Sequence, residues 1–239
     1  MRTDLVGQVV DVIIDRIATG TYLEGDALPG EVDLSQDLEV SRLTVREAVK
    51  ILRDRGVLNV IQGRGTFVAP RHRWTDLESL VYLTAAESSD RTVGLRLVEL
   101  RRMIEVGAAG LAARNRTDAH LSALDEAFNA MQEAGDINDV DAVVKFDLEF
   151  HRQILLASAN PFIPAAFAPL EGALRGSRVV TASHPKVRSR AQEHHRLILK
   201  AIRSQDEEGA KDAMRAHMTQ TRLDLLASTS EEHTEHPLL

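Results

Sequence analysis

Between Ser41 and Arg73 the chain carries eight arginines and lysines against only Glu47 and Asp54. On a wheel of about 100° per residue, a core direction bisecting Val45, Val49 and Leu52 aligns Arg42, Arg46, Lys50 and Arg53 along one flank. A helix that enters a DNA major groove needs this division, with one side buried and the adjoining side basic. Arginine there can donate two hydrogen bonds to guanine O6 and N7. Ser41 and Thr44, near the start of the helix, suit phosphate contacts. Further on, Gly63 and Gly65 permit close backbone approach, and Arg64 between them can reach a minor groove. With few acids nearby, most of these bases are expected to lack intrahelical partners, which disfavours a salt-bridged surface helix. Gly63-Arg64-Gly65 is no phosphate loop, because no Lys-Ser/Thr or helix start follows it.

A second set of residues could hold a metal. Asp147 and His151 lie four apart on a stripe of Val140, Val143, Val144, Phe150, Ile154 and Leu155. An acid and an imidazole aimed into a core need partners, because burying an unpaired carboxylate is costly. His217 falls on a stripe with Ala210, Ala213, Met214 and Thr221. On the helix before it, Ala191, Ile198, Ala201 and Ile202 define a buried side with His194 and His195 on its flanks, and the wheel does not choose between them. One Asp and three His projecting inward suit a divalent first-row transition metal. A hydrogen-bonded Asp–His pair with unrelated core histidines is the competing reading.

Both sets need elements to position them. Val6, Val9, Val10, Ile13, Ile14 and Ile17 mark a first helix that Gly20 stops. Pro29-Gly30 marks a turn, and a second helix is expected over 31–38. Ser41 can cap the third helix, which Gly56 ends. Residues 57–61 and 66–68 are β-rich runs flanking a hairpin turn. Three helices and a hairpin make a winged helix-turn-helix over 1–70. A linker with a short helix is expected over 71–91, then an all-α antiparallel bundle over 92–228 and a polar tail over 229–239. In the bundle, helices are expected over 92–114, 118–133, 140–157, 162–181, 186–204 and 206–227. The fold class is therefore mainly α.

Composition narrows the function. Of 239 residues, 44% are hydrophobic but only 4% aromatic, which predicts an aliphatic, helical core. No apolar run approaches the roughly 18 residues of a membrane span. With no cysteine, disulfides, thiolate metal sites and cysteine nucleophiles are excluded. The start lacks a basic segment leading into an apolar run, so a cytoplasmic location is expected. The net charge of −7 alone argues against a polyanion partner. A basic segment concentrated inside an acidic protein instead points to one defined anion-binding face.

The run Val40-Ser41-Arg42-Leu43-Thr44-Val45-Arg46-Glu47-Ala48-Val49, then Leu52, Gly56-Val57-Leu58 and Gly63-Arg64-Gly65-Thr66-Phe67-Val68, resembles the DNA-binding domain of GntR-family transcriptional regulators. The resemblance implies DNA contacts from Ser41, Arg42, Thr44, Arg46 and Gly63. One departure is Val32, flanked by Glu31 and Asp33, where the family often has an arginine; altered operator preference or affinity follows. Asp147-Leu-Glu-Phe-His151, Glu193-His194-His195-Arg196 with Ile198-Leu199 and Ala201-Ile202, and Ala213-Met214-Arg215-Ala216-His217 resemble the FCD effector domain of the FadR subfamily. The match selects His195 and implies a metal, zinc first with nickel, manganese or iron as alternatives, on Asp147, His151, His195 and His217. Glu99-Leu-Arg101-Arg102-Met-Ile-Glu105 resembles the start of that domain, where the residue matching Arg101 faces the effector cavity. On the wheel Arg101 borders the apolar side marked by Leu97, Ile104 and Ala108, and an i,i+4 bridge to Glu105 is its alternative role. Ser177, Arg178 and Thr181 are further candidates for the cavity wall.

The expectation is a homodimeric, ligand-responsive regulator, a repressor as is usual in the family, that binds a short inverted repeat in double-stranded DNA and a small carboxylate effector. Lactate-like hydroxy acids, dicarboxylates and sugar acids all fit one metal and one arginine. A metal sensor, with the ion as signal, is the alternative. A metalloenzyme is disfavoured because no His-Glu-x-x-His occurs and hydrolysis needs no basic winged helix.

Overall fold

A computed structural model describes residues 4–227, and the tail expected over 229–239 lies outside them. The chain divides into two compact units at Ser89 and Asp90.

In the first unit, helix α1 (Leu5–Ala18) is capped by Asp4 and buries Val9, Val10, Ile13, Ile14 and Ile17. Helix α2 (Glu31–Asp37) contributes Leu34 to the same core. Helix α3 (Arg42–Asp54) starts at Ser41, whose hydroxyl accepts from the Thr44 amide, and it buries Val45, Ala48, Val49 and Leu52. Strands β1 (Leu58–Ile61) and β2 (Gly65–Val68) pair antiparallel, with Leu58 opposite Val68 and Ile61 opposite Gly65. A bridge from Ala27 to Phe67 adds a third short edge to this wing, with the Leu28 amide donating to Thr66 and the Val68 amide to Asp26. That edge is too short to leave a period-2 signature.

Of the stretch 71–91, expected as a linker with a short helix, the residues up to Ser89 belong to the first unit. After a 3-10 turn at Arg71–Arg73, helix α4 (Leu77–Glu87) packs on α1. Trp74 and Leu83 join the core of that unit, and the Trp74 indole donates to the Ala69 carbonyl. Gly56 explains how the chain turns here. Its φ is +73°, and a Cβ at this position would lie 2.2 Å from the Arg73 carbonyl oxygen, so both the left-handed backbone and the close approach require glycine.

The second unit is a helical bundle of α5 (Asp90–Asn115), α6 (Asp118–Asp136), α7 (Val140–Ala157), α8 (Phe162–Phe167), α9 (Glu171–Ala182), α10 (Pro185–Arg203) and α11 (Glu207–Ala227). Helix α5 packs on α7 and α11, α6 packs on α7 and α10, and α10 packs on α11. The single helix expected over 162–181 is instead broken by a 3-10 turn at Ala168–Leu170. Pro169 lies in that turn, and its missing N–H cannot continue an α-helical ladder. The core is aliphatic, from Ala109, Leu124, Val144, Ile154, Ile198 and Met214, with Phe150 as its large aromatic.

Candidate functional site

The outer face of α3 holds the predicted DNA contacts. Arg42, Arg46 and Lys50 are exposed, as are Gly63 and Arg64 in the wing. Ser41 is exposed but engaged, its hydroxyl paired at 2.8 Å with that of a half-buried Thr44. Gly63 takes φ +72° with open space around it, which leaves its backbone free to approach a ligand.

Of the four bases on the flank of α3, expected for the most part to lack intrahelical partners, two have one and a third is paired from another helix. Lys50 pairs with Glu47 at 3.8 Å, Arg53 with Asp54 at 2.7 Å, and Arg46 with Glu31 of α2 at 2.9 Å. The Glu31 contact crosses between helices, so a wheel of α3 cannot contain it. Leu43, missed as a candidate, is 66% exposed among these bases. An apolar side chain there can meet a thymine methyl group. Its signal was a leucine falling opposite the buried Val45–Leu52 side.

In the bundle, α7, α10 and α11 bring His151, His195 and His217 together, all buried, with one nitrogen of each within 4.8 Å of the others. Burial selects His195 over its half-buried neighbour His194, because Leu199 completes the buried side of α10. Nε2 of His195 and Nε2 of His217 are 3.3 Å apart, close to the spacing of two ligands on one tetrahedral zinc with bonds of about 2.0–2.1 Å. Asp147 Oδ1 lies 3.4 Å from His195 Nε2 and 3.9 Å from His151 Nε2. The other Asp147 oxygen is paired with Arg178 Nε.

Glu105, absent from the sequence-derived site, orients this cluster. Its carboxylate lies 2.5 Å from His151 Nδ1 and 2.6 Å from Arg101 Nε. Holding the Nδ1 side turns His151 Nε2 toward the other imidazoles, and such outer partners fix the orientation of a ligand ring. Arg101 also reaches His151 Nε2 at 3.3 Å, so it makes both the bridge to Glu105 and a contact with the cluster. The buried stripe of α5 runs through Leu97, Val98, Arg101, Glu105, Ala108 and Ala112, whereas Ile104 is half-buried. A wheel drawn through Ile104 therefore pushed Arg101 to its border.

Electrostatics make the imidazoles of His195 and His217 neutral. Burial drives the His195 pKa down to about 3, with His151 and the arginines adding to the fall and Asp147 opposing it. Burial also holds His217 well below its ordinary value, helped by His195 and His151. For Asp147, burial pushes the carboxyl up, but Arg178, His151, His195 and Arg101 outweigh it and hold it at about 2. Glu105 is likewise raised by burial and lowered more by Arg101 and His151. Neutral imidazoles beside an ionised carboxylate form a donor set able to hold a divalent ion.

Two cavities adjoin the cluster. A polar one of about 50 Å³ is lined by Arg101, Asp147, Arg178, Thr181, His217 and Thr221 among others. A second of about 590 Å³ shares Asp147, Arg178 and Thr181 and extends to Phe128, Val143 and Gln192. Arg178, 7% exposed, presents Nη1 and Nη2 with no hydrogen-bond acceptor among the described residues. The side chain of Ser177 lies outside the described residues.

A winged helix-turn-helix with a basic third helix, followed by an all-α unit with an internal polar cavity, defines a DNA-binding regulator with a ligand-binding module. Residues 5–68 match the bacterial regulatory proteins of the gntR family, and residues 96–220 match the FCD domain. The chain belongs to the GntR family of transcriptional regulators, in its FCD-containing branch. It is 30% identical to the HTH-type transcriptional regulator LutR of Bacillus subtilis (strain 168), over 92% of this chain and 100% of that protein. It is 26% identical to the galactonate operon transcriptional repressor of Escherichia coli (strain K12), over 89% and 93%. Among solved structures, Streptococcus agalactiae GntR aligns with a TM-score of 0.54 and 29% identity, over 91% of this chain and 99% of that one. These families and relatives are transcriptional regulators rather than enzymes. Among the described residues, no helix is long and apolar enough to cross a membrane.

Proposed function

We propose that this regulator is a cytoplasmic homodimeric repressor that binds an inverted-repeat operator through α3 and the wing and is controlled by a small carboxylate bound beside a divalent metal. Ser41, Arg42, Thr44, Arg46, Lys50, Gly63 and Arg64 form the DNA-facing set. Asp147, His151, His195 and His217 hold the ion, zinc by preference for its nitrogen-rich donors, and Arg101 faces the effector with Arg178.

The observation that carries the reading is the charge balance around Arg178. Arg101 and Arg178 are offset by Glu105 and Asp147, so a divalent cation leaves the buried site positive. An organic anion restores neutrality, and the unpaired Arg178 Nη atoms supply donors for its carboxylate. The small cavity has room for a carboxylate headgroup. The larger one, at about 590 Å³, lies within the range of ordinary ligand pockets and accommodates the rest of a hydroxy or sugar acid. The name of a relative, the galactonate operon repressor, supports an organic-acid signal.

The test is a thermal-shift screen of small carboxylates on metal-loaded protein, followed by titration of DNA affinity with metal and acid separately. Under this reading the metal stays bound and only an acid changes DNA affinity. If metal alone toggles DNA binding reversibly, the chain is a metal sensor and the effector reading fails.

A further inference from the structure

Arg46 is gripped from another helix. Glu31, the first residue of α2, accepts from Arg46 Nε at 3.3 and 3.2 Å and from Nη2 at 2.9 Å. A guanidinium carries five N–H donors in a rigid planar fork. The carboxylate occupies the side edge, formed by Nε and one hydrogen of Nη2. The end edge, formed by Nη1 and the second Nη2 hydrogen, has no acceptor among the described residues and presents two parallel donors, the pair that matches guanine O6 and N7.

Both partners are substantially exposed, at 64% for the Arg46 side chain and 39% for Glu31, and an exposed ion pair contributes little to folding stability. Its consequence lies in recognition. A free arginine on a groove-entering helix swings to any phosphate, which adds affinity without sequence information. An arginine held along its side edge must release two N–H donors from the carboxylate to do so, while its end edge needs no rearrangement to meet a base. Glu31 also adds a negative charge on the DNA side, which lowers attraction for every duplex alike.

We infer that Glu31 is a specificity-positioning residue: it presents the end edge of Arg46 to a guanine and withholds that arginine from phosphates. The inference rests on the reading that Arg46 meets DNA. Val32, beside Glu31, is apolar and supplies no donor of its own, so discrimination at this end of α2 depends on the held Arg46.

The experiment selects a high-affinity duplex from a random pool with the full wild-type chain, then replaces each guanine of that duplex by 7-deazaguanine, which lacks N7. Wild-type protein should lose affinity at one guanine per half-site. Glu31→Gln should reduce that discrimination by roughly tenfold while binding random-sequence DNA more tightly. Asp33→Asn removes the same charge from the same end of α2 and forms no ion pair with Arg46. It should strengthen binding to all duplexes equally and leave the 7-deazaguanine ratio unchanged. Melting curves check that each variant is folded. If Glu31→Gln behaves as Asp33→Asn does, or keeps the wild-type ratio, the positioning role is overturned. Unchanged affinity in Arg46→Ala would instead overturn the underlying DNA contact, a separate failure read in the same assay.

Discussion

Two arginine–glutamate pairs in this chain have nearly the same chemistry and opposite surroundings. Arg46 and Glu31 face solvent. Arg101 and Glu105 are almost completely buried, at 4% and 1%. Water screens the first pair, so it adds little to folding stability, and the end edge of its guanidinium stays open to an incoming base. The second pair has left water at a desolvation cost that its partners in the buried site, each other first, must offset. It therefore cannot be parted without an uncompensated buried charge. The exposed pair is suited to reading a ligand that arrives with its own donors and acceptors. The buried pair is suited to holding His151 in one orientation beside the imidazole cluster.

That contrast can be broken or sharpened in four ways. Removing one imidazole of the cluster, His195→Ala, should, if the cluster holds the proposed metal, take metal content from about one ion per chain to near zero in elemental analysis of purified protein. Undiminished metal would mean the ion sits elsewhere. Glu105→Gln should destabilise the metal-free protein by about 3–5 kcal/mol, read by denaturant unfolding. Glu31→Gln should change stability by less than about 1 kcal/mol. Equal losses in the two variants would erase the difference between exposed and buried pairs.

Arg46→Ala should weaken operator binding by roughly 5–150-fold, the equivalent of about 1–3 kcal/mol for one bidentate base contact, with its melting temperature unchanged. A gel-shift titration decides it. A graded effect is expected in acid. His195 titrates at about 3 in the folded chain and near 6.5 when unfolded, and His217 is shifted the same way. Unfolded chains thus take up protons first as the pH falls, and stability declines between about 6.5 and 3, by on the order of 1 kcal/mol per pH unit for each histidine. Asp147 works in a lower window, its stabilisation present above about 4 and lost as the pH falls through about 2. Metal-free protein should therefore be roughly 2–4 kcal/mol less stable at pH 5 than at pH 7.5. Equal stability at both would contradict neutral buried histidines.

Much of this was legible in local patterns. The α3 wheel found its core side and its exposed bases because an amphipathic helix repeats every 3.6 residues. Ser41 was legible as a cap from its type and place. His151 and His217 stood on their stripes, and all three histidines converge. What stayed hidden came from other elements. Glu105 reads only as an i,i+4 partner of Arg101 until α7 is laid against it. Glu31 reads as an ordinary first-turn acid until Arg46 arrives from 15 residues away. Helix α4 read as part of a linker because its 11 residues carry too little periodicity to announce that they pack on α1.

Residue order by itself determined where most of the helices and the hairpin lie, most of the apolar faces, and which side chains are candidates for the chemistry, since all of these follow from spacing along one element. Only tertiary structure decided which acid neutralises which base, which of His194 and His195 turns inward, and that Arg178 ends with two unpaired donors beside a cavity. Those outcomes depend on desolvation and on distances between elements far apart in the chain, and no local period encodes either.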